Sequence, residues 1–86
     1  MSTKIYQLYH NKERATLKVS PMRKAFYNTN IDKMLAQQDK EYVLYYNTFY
    51  LFSFSRKALV QLARNMKEEW IAEAESKVEM YKSIKI

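Results

Sequence analysis

The chain has no glycine and no cysteine, and it has one proline and one histidine in 86 residues. Without glycine there is no glycine-rich phosphate loop, no dinucleotide fingerprint and no GxxG nucleic-acid clamp. Without cysteine there is no disulfide and no thiolate chemistry, which fits a reducing compartment. A zinc site needs several Cys or His, and His10 stands alone. No apolar run reaches the roughly 18–20 residues of a membrane span. The stretch "MSTKIYQLYHNK" lacks the apolar core of a signal peptide, so the expected location is cytoplasmic.

Turns that need a positive φ must fall to Asn or Asp, the next most tolerant residues; Asn11, Asn28, Asn30 and Asn47 are the candidates. The composition is that of a folded chain, 48% hydrophobic and 15% aromatic. Its length corresponds to a single domain, small enough that oligomerisation often adds to stability.

The net charge is +6. It concentrates before residue 68, where twelve Lys/Arg meet four Asp/Glu; residues 68–86 carry three against five. A basic body with a faintly acidic tail predicts a polyanionic partner or an acidic protein surface.

"KIYQLYH" (4–10) reads as a strand, "NKER" (11–14) as a polar turn, and "ATLKV" (15–19) as a second strand. In that second strand Ala15, Leu17 and Val19 lie opposite Thr16 and Lys18. "SPMRKAFY" (20–27) reads as a helix start, with Ser20 as N-cap and Pro21 at the first helical position. Ile31, Met34 and Leu35 are out of phase with Met22, Ala25 and Phe26, which predicts two short helices broken at "NTN" (28–30), with Thr29 or Asn30 capping the second.

"EYVLYYNTFYLFSFS" (41–55) reads as a second hairpin. It holds seven of the thirteen aromatic residues. Asn47-Thr48 is a weaker turn than Asn-Gly, so a loop wider than two residues is open to it. Alternation about that turn puts Tyr42, Leu44, Tyr46, Phe49 and Leu51 on one side, and Val43, Tyr45, Tyr50, Phe52 and Phe54 on the other. Both sides are apolar, so both need a cover: the short helices, a second subunit, or stacked bases.

Ser55 then caps a long helix over about 56–84, with Leu59, Ala63, Met66, Trp70, Ala74, Tyr81 and Ile84 on one stripe. At that length it spans roughly 43 Å and outreaches its own sheet. Lys77 interrupts the stripe, as an overhanging segment tolerates. Trp70, Ala74, Tyr81 and Ile84 are therefore the expected oligomer interface. The fold expected is α+β: two β-hairpins in a small antiparallel sheet, two short helices between them, and one long C-terminal helix.

No paired carboxylates, metal set or nucleophile arrangement is present, and no cofactor is implied. His10 with Lys12 and Arg14 is the one set a small ribonuclease could use, with the imidazole as general base; a solvated histidine at a strand end is the simpler reading. Arg56-Lys57 and Arg23-Lys24 put paired cations in predicted first helical turns, where acids are preferred, and a docked phosphate would account for both. Arg64 extends the first pair along the helix.

The expected function is a non-catalytic RNA-binding protein, since nothing resembles a helix-turn-helix for duplex DNA. Lys12, Arg14, Arg23, Lys24, Arg56, Lys57 and Arg64 would contact phosphates, Tyr45 and Tyr50 would stack on bases, and the protein would be a homo-oligomer without a membrane role. The alternative is an accessory protein of phage or mobile-element type that binds and inhibits a host toxin, nuclease or defence complex.

Overall fold

The computed structural model describes residues 4–23 and 30–86. Its elements run β1 (Tyr6–Asn11), β2 (Thr16–Pro21), α1 (Ile31–Ala36), β3 (Leu44–Tyr45), β4 (Tyr50–Ser53), α2 (Arg56–Glu73) and α3 (Val78–Lys82). The four strands form one antiparallel sheet in the order β2-β1-β4-β3. The architecture is α+β, as expected.

Alternation assigns the two faces of this sheet. Leu8, Leu17, Val19 and Leu51 share one face, because Leu8 pairs with Val19 on one side and with Leu51 on the other. The apolar stripe of α2 lies against it, burying Leu59 and Ala63 together with Leu8, Leu17 and Leu51. Each such leucine contributes about 1.5–3 kcal/mol on leaving water, which makes this layer the main core. The other face carries Ile5, Met22 and Phe52, closed by Ile31 and Leu35 of α1.

Local chemistry sets the turns. Asn11 Oδ1 accepts from the Arg14 N–H, and the chain reverses through Ala15 at φ 49°. A non-glycine residue there costs about 1–2 kcal/mol. Of the asparagines expected to take positive φ, Asn30 does, at φ 62°, standing at the N-cap of α1. Asn11 and Asn47 serve through their side chains instead, and Asn28 lies outside the described residues. Ser55 caps α2 as expected, its hydroxyl oxygen accepting from the Ala58 N–H at 3.1 Å.

Three expectations change. Pro21 does not open a helix; it ends β2, opposite Tyr6. The edge position explains this: with the Met22 N–H bonded to the Ile5 carbonyl, Pro21 falls on an outward-facing site where its missing N–H loses no ladder bond. Arg23 is accordingly not in a first helical turn, and Lys24 with the rest of the expected first helix (24–29) lies outside the described residues.

The second hairpin is shifted by one residue. Leu44 pairs with Phe52 and Tyr45 with Leu51. Asn47 Oδ1 accepts from both the Phe49 and Tyr50 N–H groups, at 2.9 Å each, which widens the loop. A one-residue shift reverses which residues share a side. Tyr45 thus goes with Leu51, and Leu44 with Phe52.

The long helix is two. α2 stops at Glu73, Ala74 is extended, and α3 folds back. Tyr81 then packs against Trp70, with centroids 5.5 Å apart, and its hydroxyl donates to the Lys12 carbonyl. Closing the end of the core with this ring replaces the overhang.

Candidate nucleic-acid interface

α1 covers only part of the second sheet face. Beyond it, the same face displays Tyr9 of β1, Lys18 and Ser20 of β2, and Tyr50 of β4. With Gln7 and Arg23 these line a shallow depression of about 480 Å³. The pairing register brings them together: Tyr9 stands opposite Lys18 on one side and opposite Tyr50 on the other. The Tyr9 and Tyr50 rings are 5.3 Å apart at 49°, and Tyr50 lies parallel to Phe52 at 6.3 Å. Phe49, at the end of the sheet, comes to 6.2 Å from Tyr9 but lines the cavity on the opposite face. Lys18 and Arg23 are exposed at its border. Gln7 is buried beneath, and its side-chain oxygen accepts from the Arg23 N–H at 3.1 Å, fixing where that residue leaves the sheet.

Aromatic rings beside two cations offer stacking surface to planar groups and positive charge to anions.

A second concavity, about 560 Å³, opens on the opposite face at the C-terminal end of α2. His10, Phe49, Met66 and Trp70 meet Glu69 and Glu73 there. Lys12 is bound to Glu73 in a salt bridge of 3.1 Å. Glu13 lines it as well, and three carboxylates make this cleft unfavourable for phosphate. Burial holds His10 below its ordinary pKa of 6.5, favouring the neutral imidazole.

The expected site residues fall in different places. Arg23 and Tyr50 meet in the depression. Lys12 and Arg14 sit on the β1–β2 turn, Lys12 engaged with Glu73. Arg56, Lys57 and Arg64 are exposed along α2, the layer on the other side of the sheet. Tyr45 is 68% exposed at the sheet edge, and its pairing with Leu51 puts it on the α2 side. Trp70 and Tyr81 are buried against each other within the chain, with Ala74 and Ile84 packed on the same core, so these rings are not available to a second copy.

Sequence reasoning missed Tyr9 and Lys18. Their signal was present: each is out of phase with the leucines of its own strand, so a paired hairpin sets both on the face away from α2.

Among the described residues no cluster of His, Cys, Asp and Glu is arranged to hold a metal, and no helix is long and apolar enough to cross a membrane. Comparison with models of protein families, with curated proteins and with solved structures finds no match to this chain.

Proposed function

We propose that the protein is a small non-catalytic nucleic-acid-binding protein that takes single-stranded RNA on the Tyr9–Tyr50 face of its sheet. The observation that carries the reading is the meeting of Tyr9, Tyr50, Lys18 and Arg23 in one depression of a chain with net charge +6. The rings supply sequence-tolerant stacking, worth about 1–3 kcal/mol per base. Lys18 and Arg23 supply phosphate contacts at the border of the same surface, so one strand can satisfy both. Duplex DNA is disfavoured, because rings on a sheet face stack unpaired bases and no helix among the described residues resembles a groove reader.

The test is binding of a labelled single-stranded RNA oligonucleotide across a salt series. Affinity should fall by about 0.7 log unit per log unit of salt for each phosphate neutralised. The double variant Lys18→Glu, Arg23→Glu should abolish binding at moderate salt. Absence of binding at low salt, or affinity indifferent to both salt and the double variant, would overturn the reading.

A further inference from the structure

The sheet has two outer edges among the described residues, and they are built differently. The β2 edge carries the exposed Lys18 and ends in Pro21, which offers no N–H. A charge and a proline are the usual means of preventing a strand edge from pairing with another chain. The β3 edge has neither. It lies within a run from Tyr42 to Ser55 with no Asp, Glu, Lys or Arg, in a chain where such residues make up 28%.

Its backbone is also aimed outward. The Tyr46 N–H bonds to the Tyr50 carbonyl, so the neighbouring pair, Tyr45 with Leu51, is the non-hydrogen-bonded kind. The N–H and C=O of Tyr45 therefore face away from β4, toward the open edge. Tyr45 is 68% exposed and Tyr42 39%.

We propose that a second copy of this chain adds its β3 to this edge, antiparallel, across a two-fold axis normal to the sheet. Charge selects this occupant. A polyanion or an acidic protein segment would need cations on the edge, and the run has none. Two copies at +6 each repel one another, and they can approach only through a surface that adds no further charge to the contact. An uncharged, tyrosine-bearing strand edge meets that condition and is complementary to itself under two-fold symmetry. The axis keeps like faces on the same side. The two α2 layers then share one side of an extended sheet, and the two Tyr9–Tyr50 depressions share the other. The proposal concerns the edge alone and stands apart from nucleic-acid binding.

The test uses the nucleic-acid-free protein. Sedimentation velocity should show a dimer whose population grows with protein concentration. Tyr45→Lys and Tyr45→Glu should each be monomeric with unchanged circular dichroism, because each sets like charges together near the axis. Mixing the two variants should restore a dimer. Hydrogen exchange on the wild type supplies a check that needs no variant: the Tyr45 amide should gain protection as concentration rises. A wild type that stays monomeric, a dimer that survives both substitutions, or a Tyr45 amide equally unprotected at every concentration would overturn the proposal.

Discussion

The two faces of this sheet are made by the same strands and end in different environments. On one, Leu8, Leu17 and Leu51 are at most 3% exposed beneath α2. On the other, Phe52 is fully buried beneath α1, while Tyr9 and Tyr50 two pairs along remain half-buried beside Lys18 and Arg23. Successive residues of β4 alternate between the two faces, and only Tyr50 of the four is not fully covered. A small chain can complete one core layer and part of a second. Where its own cover stops, it has placed tyrosines, whose rings tolerate both a packed and a solvated setting, and cations at the border.

The largest effects come from removing the side chains that define the closed regions. Leu51→Ala and Phe52→Ala should cost about 2–5 and about 3–5 kcal/mol, respectively, in urea unfolding. Tyr9→Ala, on the open region of the second face, should cost less, about 1–2 kcal/mol, because its ring is only partly buried. Equal losses at Phe52 and Tyr9 would mean that the face is closed along its whole length.

Binding should reverse that ranking. Tyr9→Ala should weaken RNA affinity by at least about tenfold, the equivalent of about 1.4 kcal/mol. Lys18→Ala should reduce the salt slope by about 0.7, and Arg64→Ala, on the α2 side, should leave it unchanged.

Ala15→Gly probes the turn joining β1 to β2 and should stabilise by about 0.5–1 kcal/mol, as relief of the left-handed strain exceeds the added unfolded-state entropy. The smallest effect concerns His10 on the α2 face. Its folded pKa is lowered by burial, so the unfolded chain binds more protons as pH falls. The stability it contributes is present above its unfolded pKa, near 6.5, and lost as pH falls through the lower folded value. His10→Gln should flatten this part of the pH–stability curve, measured by thermal unfolding between pH 7.5 and about 5.

Much of the fold was legible wherever one local signal decided the outcome. The alternation of Leu17, Lys18 and Val19 marks a half-buried strand, Ser55 marks a helix start, and the spacing of Leu59, Ala63 and Trp70 marks the buried stripe. The failures share a cause: the deciding partner was distant in the chain or had two roles. Ser20-Pro21 is an equally good helix start and strand end, and pairing with Tyr6 chose the strand. Asn47 carries two N–H groups on one side-chain oxygen, and that extra loop residue moved Tyr45 to the α2 side. Nothing local ends α2 at Glu73; Tyr81 meeting Trp70 and Lys12 does. Of the candidate interface, Tyr50 follows from the aromatic density of the second hairpin, whereas Arg23 follows only from an expected helix start that is in fact a strand end. Tyr9 and Lys18 required the register, because neither stands out until the strands are set side by side.

The contrast between the faces is most directly tested by titrating single-stranded RNA into isotope-labelled protein and following the backbone amides by NMR. Shifts should concentrate at Tyr9, Lys18, Ser20, Arg23 and Tyr50 and leave the exposed side of α2 unmoved. Shifts confined to Arg56, Lys57 and Arg64, or none at low salt, would contradict the assignment of the open sheet face as the binding surface.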